Sequence, residues 1–397
     1  MWTVSLINNT NPIQSINFSD GLPLEAVRGG AGNSFRLIVN GFGFLDFTDT
    51  GHQPGGSGYW QLNLNGNIYW YDGQPAIPII INNDGTFFVE GAFSGFLIPL
   101  PDLNSQDIAV MDWLMENNYV PYQHIPDEPG KTTEQLQALG LQYFPFTTAS
   151  FELAMAVYDW TTADFTRIQF MQLFMYTDVS GCPLDMASIA GGIWSSNWGT
   201  YNPQNKDYMN EYMMQPAQSL QEVQTQLSQV VTPLRDSNDA EVRLLTAALS
   251  SLPRTSCLSV PMLYSGQVDI SNLGTEHFAT YFMEFPYNSN PGTPLQMPLS
   301  EALETFIVVG KTLTLKGLMS FTNSQQDAMH YSNGILVEVS PPAGSVVWEN
   351  ATYITPLSDG PEKIEYLYHP GSAFGITNIQ TIIVSGKSIV QISVLAL

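Results

Sequence analysis

The strongest constraint on the fold is a residue pattern that changes twice along the chain. Residues 1–101 hold short apolar runs separated by Gly, Asn, Asp and Pro, which predicts β-strands. Residues 102–254 carry apolar residues at helical spacing, and residues 255–397 return to strand-like runs. We therefore expect an α+β chain with a β-rich module over 1–101. A second domain over 102–397 is expected to consist of a helical lobe followed by a β core.

Two hairpins are marked clearly in the first segment. The first turns at Asn65-Gly66 and the second at Asp84-Gly85, each between strand-like runs. These dipeptides favour type I′ turns, because both central residues need a positive φ. Six or more short strands of this kind predict an all-β sandwich or a small barrel.

The helical segment predicts helices within residues 107–118, 150–176, 219–231 and 239–252. Asp239 is a favourable N-cap for the last of them, because its side-chain oxygen can accept a hydrogen bond from the first helical turn.

Charge and hydropathy exclude several kinds of partner. The net charge is −24, although only 12% of the residues are charged. Such a surface repels nucleic acid and anionic membranes. No window reaches about 18 apolar residues, and the N-terminus has no basic region followed by an apolar core. We therefore expect a soluble protein that is cytoplasmic or exported by a non-classical route.

The residues that could bind a metal are few and scattered. The five histidines show no ligand spacing, so no metal is expected. Cys182 and Cys257 lie far apart, without the spacing of a disulfide framework. They either pair with each other or remain as two buried thiols.

Chemistry is indicated mainly by a hydroxyl-rich run, Ser320 to Ser324, and by Glu365 further along the chain. Hydroxyl groups beside a carboxylate suit reactions in which positive charge develops on a sugar. One such reaction is cleavage of the bond between nicotinamide and ribose in NAD⁺, which develops oxocarbenium character on the ribose. A carboxylate stabilises that charge, and hydroxyl groups on a neighbouring strand orient the carboxylate. An arginine usually holds the pyrophosphate through its planar fork.

With these pieces in this order, residues 240–397 resemble an Arg-Ser-Glu class mono-ADP-ribosyltransferase, and residues 150–176 resemble the helical lobe of that family. The resemblance implies two sheets around a cleft, NAD as substrate, and no metal. It implies catalytic roles for Glu365 and Ser320. The NAD-binding residues that it implies are Thr322, Ser324, Tyr264, Gly266 and, in place of the usual arginine, Arg254.

Two positions depart from the family pattern. The aromatic-Arg-Gly step of the first strand reads Tyr264-Ser265-Gly266, so Ser265 stands where arginine is expected. The position two before the catalytic glutamate, which is Glu or Gln in arginine-modifying members, is Lys363. Glu362 lies one residue earlier and would face away if this segment were a strand.

Three functions follow from this resemblance. The first is transfer of ADP-ribose from NAD to an unknown protein acceptor. The second is NAD glycohydrolysis, in which water is the acceptor. The third is a catalytically degenerate member with a structural, shell or adhesion role. The β-rich module over 1–101 is a candidate surface for self-association.

Overall fold

A computed structural model describes the following parts of the chain: residues 4–8, 15–18, 34–39, 43–48, 59–62, 68–71, 77–91, 93–117, 119, 130–162, 167–168, 171, 186–195, 212–257, 259–267, 307–315, 317–332, 335–345, 347–360 and 362–397.

Before the first helix, the strands of the described residues form two antiparallel sheets, one with the order β2-β1-β3-β4 and one that runs from β5 to β9 in sequence order. Their bounds are Val4–Asn8 (β1), Ser15–Phe18 (β2), Ser34–Val39 (β3), Gly43–Thr48 (β4), Tyr59–Leu62 (β5), Ile68–Tyr71 (β6), Ile77–Ile81 (β7), Thr86–Val89 (β8) and Phe93–Phe96 (β9). The β content expected for residues 1–101 is thus present, and the packing of these sheets as a sandwich remains a prediction.

In the described residues that follow, the helices are Ser105–Glu116 (α1), Thr133–Tyr143 (α2), Ser150–Thr161 (α3), Met186–Ser195 (α4) and Leu220–Ser251 (α5). Helix α3 is almost entirely buried, because its apolar residues cover more than one face. It ends at Thr161, and the next residue, Thr162, is extended. The apolar stretch predicted over 150–176 is therefore not one helix.

The two helices predicted at 219–231 and 239–252 are one helix, α5, which continues through Pro233. The separation was wrong, and Asp239 is an interior residue rather than an N-cap. Buried residues on both sides of the proline, such as Leu227 and Leu234, keep one apolar stripe facing the core. This packing outweighs the hydrogen bond that a proline removes from the helix.

The remaining strands form two sheets, with the orders β10-β15-β16-β13 and β11-β14-β18-β17-β12. Their bounds are Arg254–Ser256 (β10), Leu263–Gln267 (β11), Thr312–Thr314 (β12), Met319–Phe321 (β13), Ile335–Ser340 (β14), Val347–Tyr353 (β15), Tyr366–Tyr368 (β16), Ala373–Val384 (β17) and Lys387–Ala396 (β18). A short helix, Gln325–Ala328 (α6), lies between β13 and β14. The mixed helix-and-sheet architecture expected from the sequence is confirmed.

The two C-terminal sheets meet at strands β11 and β13. Tyr264 and Thr322 exchange two backbone hydrogen bonds, each 2.8 Å from nitrogen to oxygen. The strands can approach α6 closely because residue 266 is glycine, since a Cβ there would lie 1.9 Å from the Ala328 carbonyl oxygen. This junction places the end of β13 beside β11 and fixes the position of Ser320.

The turn between β7 and β8 differs from the expected type I′ turn. Gly85 has a φ of 80°, but Asp84 does not have a positive φ. The Asp84 carboxylate accepts hydrogen bonds from the amide and the hydroxyl of Thr86, and this local bonding favours a different turn. The other predicted turn, Asn65-Gly66, lies outside the described residues.

The first sheet contacts the rest of the molecule through β3 and β4. Arg36 is buried, donates to both carboxylate oxygens of Asp46 and donates to the Ser250 carbonyl at the end of α5. Phe44 packs edge-on against Phe146, with 5.3 Å between the ring centroids. Among the described residues, no helix combines the length and the hydropathy that a membrane span requires.

Candidate functional site

The sequence-predicted pair of Ser320 and Glu365 is in direct contact. Ser320 lies in the middle of β13 opposite Leu367 of β16, and Glu365 immediately precedes β16. The Ser320 hydroxyl donates to Glu365 Oε1 at 2.5 Å. Adjacent strands therefore present a hydroxyl and a carboxylate to each other, as their positions in the sequence predict.

A third side chain, Trp160, completes this arrangement. Its indole Nε1 lies 3.1 Å from Ser320 Oγ and 3.2 Å from Glu365 Oε1, so one N–H is shared between two acceptors. The ring is only 2% exposed and projects from the last turn of α3. Trp160 lies within the apolar stretch that predicts a helix over 150–176. The available signal was its N–H, which needs a partner when the ring is buried.

The backbone around Glu365 is also anchored. The Glu365 amide donates to Thr355 Oγ1 at 2.8 Å, and the Thr355 hydroxyl donates to the Lys363 carbonyl at 3.1 Å. The Ile354 amide donates to the Glu365 carbonyl at 3.0 Å. Both ends of the segment 355–365, named the Glu365 turn below, are therefore tied together.

The electrostatic setting of Glu365 differs from that of a solvated glutamate. Burial raises the pKa of its carboxyl group, and this effect outweighs the hydrogen bonds from Ser320 and Trp160 and the charge of Lys363, all of which lower that pKa. The residue is nevertheless partly accessible. The carboxylate is thus held mainly by neutral donors, which leaves its negative charge available to a cationic reaction centre.

Glu362 and Lys363 lie in a turn rather than in a strand, so strand alternation does not separate them. Both are exposed, and both approach Gly360. A Cβ at Gly360 would lie 3.0 Å from Glu362 Oε1 and 3.1 Å from Lys363 Cδ. A strand at this place, on which Glu362 would face away, is therefore not formed.

The other hydroxyl residues of the run serve local structure. Thr322 Oγ1 accepts from the Ser324 amide at 3.4 Å, and Ser324 Oγ accepts from the Asp327 amide as the N-cap of α6. Their proposed contacts with NAD remain predictions. Of the three hydroxyl residues, the structure brings Ser320 to the carboxylate.

Strand β11, which belongs to the five-stranded C-terminal sheet, contacts the site through Ser265. Ser265, where the family pattern has arginine, is 5% exposed, and its hydroxyl donates to the Ser320 carbonyl at 2.7 Å. Its neighbours Tyr264 and Gly266 lie on the same strand, and burial raises the pKa of the Tyr264 hydroxyl. Ser265 therefore holds the backbone of β13, while contacts of Tyr264 and Gly266 with NAD remain predictions.

Arg254 is not brought to this site. It lies on β10, which forms one edge of its sheet, whereas β13 forms the opposite edge. Arg254 Nη1 lies 2.7 Å from Glu349 Oε2, and Nε lies 3.5 Å from Asp46 Oδ2. The structure therefore does not join Arg254 to Ser320 and Glu365, and its role toward NAD remains a prediction.

A second polar cluster includes the residue that precedes Trp160 on α3. Arg167 donates to Glu241 of α5 and lies 3.4 Å from Asp159 Oδ2. All three side chains are at most 2% exposed. This ion cluster joins α3 to α5 in the core, and Asp159 is the chain neighbour of Trp160.

The described residues hold no group of three or more His, Cys, Asp or Glu side chains that could bind a metal ion. Cys257 is a buried free thiol, and burial raises its pKa to about 11. Cys182 lies outside the described residues.

The sequence matches no family profile and no curated protein. Among solved structures, the chain is similar to the ADP-ribosyltransferase Vis from Vibrio splendidus in complex with agmatine, with 15% identity and a TM-score of 0.33 over 68% of this chain and 88% of that chain. Plx2a, an ADP-ribosyltransferase toxin from Paenibacillus larvae, matches with 14% identity and a TM-score of 0.29 over 67% and 96% of the respective chains. The catalytic domain of VsdC from Aeromonas hydrophila matches with 14% identity and a TM-score of 0.32 over 62% and 99%.

Proposed function

We propose that this protein is an NAD-dependent mono-ADP-ribosyltransferase that cleaves the nicotinamide–ribose bond and transfers ADP-ribose to a protein acceptor. The observation that carries the proposal is the 2.5 Å hydrogen bond from Ser320 to Glu365 at the junction of two sheets. A carboxylate fixed by a hydroxyl and an indole suits a reaction in which positive charge develops on a sugar.

Each residue has a defined role in this reaction. The C–N bond to nicotinamide breaks, and its electron pair leaves with nicotinamide, which becomes neutral. Glu365 stabilises the positive charge that develops on the ribose, while Ser320 and Trp160 hold the carboxylate in one orientation. A nucleophile on the acceptor then forms a bond to the ribose carbon and loses its proton.

A second function, NAD glycohydrolysis, is favoured by Lys363. This exposed cation stands two residues before Glu365, and its charge is close enough to lower the pKa of that carboxyl group. A cation at this place repels a positively charged acceptor side chain and leaves water as an acceptor.

The test is release of nicotinamide from NAD⁺ by the full chain, with and without candidate acceptor proteins. Glu365→Gln should lower this rate by about 10²–10³-fold, because it removes a charge that acts on the transition state. Glu349→Gln, which changes an exposed carboxylate of the same sheet, is the matched control and should retain activity. Equal activity of Glu365→Gln and the wild type would contradict the role of Glu365.

Labelled ADP-ribose separates the two functions. Label on protein supports the transferase, whereas label found only as free ADP-ribose supports the glycohydrolase. No nicotinamide release, together with no thermal shift at millimolar NAD⁺, would support the degenerate member with a structural role, since a ligand that binds only the native state must stabilise it.

A further inference from the structure

We propose that one turn of helix α3, residues 158–161, clamps the Glu365 turn, and that Tyr158 and Asp359 are positioning residues for the reaction at Glu365. This inference rests on the proposed function, and it adds residues to which the sequence resemblance gives no role. The clamp consists of contacts that reach the Glu365 turn from the same helix as Trp160.

The first contact is a hydrogen bond between two buried side chains. The Tyr158 hydroxyl donates to Asp359 Oδ1 at 2.9 Å. Tyr158 is 2% exposed and Asp359 is 8% exposed. Burial and the neighbouring carboxylate raise the pKa of Tyr158, so its hydroxyl keeps the proton that it donates.

The second contact joins the same two segments through the backbone. The Asp359 amide donates to Thr161 Oγ1 at 2.8 Å, and the Thr161 hydroxyl donates to the Tyr158 carbonyl at 2.7 Å. Asp359 is therefore held by its side chain and by its amide. Because Trp160 of the same helical turn donates to Glu365, α3 contacts the Glu365 turn at Asp359 and again at the carboxylate.

The third contact is made by Lys131, which lies just before α2. The Lys131 amide donates to the Tyr158 hydroxyl at 2.9 Å, and the Lys131 ammonium group donates to the Ser358 carbonyl. Gly130 has a φ of 55°, and a Cβ there would lie 2.9 Å from the Tyr158 hydroxyl oxygen. Glycine thus allows the backbone to approach Tyr158 closely.

These contacts add to the packing of the Glu365 turn, in which Leu357, Ser358 and Asp359 are buried. Its first residues form a short 3₁₀ helix, Thr355–Leu357, and Glu362 and Lys363 are exposed. A carboxylate at the end of such a turn keeps its place relative to Ser320 only if the turn keeps its conformation. Small displacements of a reacting group have large effects on rate.

The experiment compares Tyr158→Phe with the wild-type chain. The substitution removes one hydroxyl and keeps the buried ring. Tyr143→Phe is the matched control, because Tyr143 is another buried tyrosine of the helical segment, and its hydroxyl accepts a hydrogen bond from the neighbouring Gln142 at 3.4 Å, outside the Glu365 turn. Hydrogen exchange of residues 355–365 is measured first, without NAD. The rate of nicotinamide release is then measured over a range of NAD⁺ concentrations.

We expect exchange of residues 355–365 to become about tenfold faster in Tyr158→Phe and to stay unchanged in Tyr143→Phe, since loss of a buried hydrogen bond promotes local opening. We also expect kcat to fall about tenfold while KM for NAD⁺ stays within twofold, because the lost contact positions Glu365 and does not bind substrate. Asp359→Asn keeps an acceptor oxygen for Tyr158 and should exchange like the wild type, whereas Asp359→Leu should exchange faster.

Unchanged exchange in Tyr158→Phe would overturn the clamp, whatever the activity. Faster exchange with unchanged kcat would overturn the positioning role while the clamp stands. Faster exchange in a chain whose wild type releases no nicotinamide would sustain the clamp and contradict both the proposed function and the positioning role that rests on it. The exchange experiment therefore separates failure of this inference from failure of the proposed function.

Discussion

Two neighbouring residues of helix α3, Asp159 and Trp160, belong to opposite kinds of polar environment. Asp159 belongs to the ion cluster, where Arg167 sits between two carboxylates in a fully buried region. Trp160 belongs to the site, where an indole and a hydroxyl hold Glu365 at a partly accessible position. One turn of α3 thus contacts two different settings. Asp159 lies in the charge-paired cluster, and Trp160 donates to Glu365, a carboxylate held by neutral donors.

The difference shows how carboxylates of one protein acquire different uses. In the ion cluster a buried guanidinium lies against both carboxylates and compensates their charge within the protein. At Glu365 neutral donors fix the geometry, so the negative charge remains available to a substrate. The kind of hydrogen-bond donor and the exposure of each carboxylate therefore decide what that carboxylate can do. Four substitutions test this contrast.

The largest effect is expected at Arg167. Arg167→Met leaves the buried carboxylates of Asp159 and Glu241 without their guanidinium, which should cost about 3–5 kcal/mol in the free energy of unfolding. Urea denaturation followed by circular dichroism measures the change. Arg254→Met is the control, because its partner carboxylates are more exposed, Glu349 at 56% and Asp46 at 19%, and it should cost about 1 kcal/mol or less. Equal losses would show that burial of the ion cluster has no energetic consequence.

Trp160→Phe tests the neutral hydrogen-bond donor to Glu365. It removes the N–H shared by Ser320 and Glu365 and keeps most of the ring volume. Nicotinamide release should fall about tenfold, since a hydrogen bond to a charged group is lost. The pKa of Glu365 should rise further, so the acid limb of the pH–rate profile should move to higher pH. Trp113→Phe, at an exposed tryptophan of α1, should leave both the rate and the profile unchanged.

Glu365→Gln should raise the stability of the folded chain at neutral pH while it removes activity. Burial raises the folded-state pKa of Glu365 above the value of 4.5 for a free glutamate. The folded state therefore binds this proton more tightly than the unfolded state, and stability falls as pH rises from 4.5 through the folded-state pKa. The amide avoids this loss, so Tm should rise by about 1–3 °C at pH 7. Calorimetry at pH 4 and pH 7 checks the sign, because the gain should vanish at the lower pH.

The smallest effect is expected at Ser324. Ser324→Ala removes the N-cap of α6 and should cost about 0.5–1 kcal/mol of stability. Nicotinamide release by the same variant tests the predicted contact of Ser324 with NAD. Ser320→Ala is the matched substitution and should lower nicotinamide release, since Ser320 donates to Glu365. If both alanine variants lose activity equally, Ser324 also acts on substrate.

Sequence reasoning reached the parts of the site that depend on local pattern. Ser320 and Glu365 stand beside strand-like runs, and neighbouring strands bring them together. Ser265 was recognised as a departure, and its bond to the Ser320 carbonyl gives it a structural use. The mixed helix-and-sheet architecture was also predictable, because the spacing of apolar residues changes near residues 101 and 254.

The parts that sequence reasoning missed depend on long-range packing. Trp160 has the pattern of an apolar helix residue, and its partners lie far along the chain. Arg254 is close to β11 in sequence, but strand order places it at the opposite edge of its sheet from Ser320. The break expected before Asp239 is absent, because core packing on both sides of Pro233 outweighs the local preference.

The bond from Ser265 to the Ser320 carbonyl has a consequence for how this site can change. An arginine introduced at position 265 would have to fit a place that is 5% exposed and would remove the hydroxyl that braces β13. A Ser265→Arg substitution would therefore disturb the position of Ser320 before it provided an anion-binding group. Because Ser265 contacts the backbone of Ser320, we expect substitutions at positions 265 and 320 to be epistatic rather than additive.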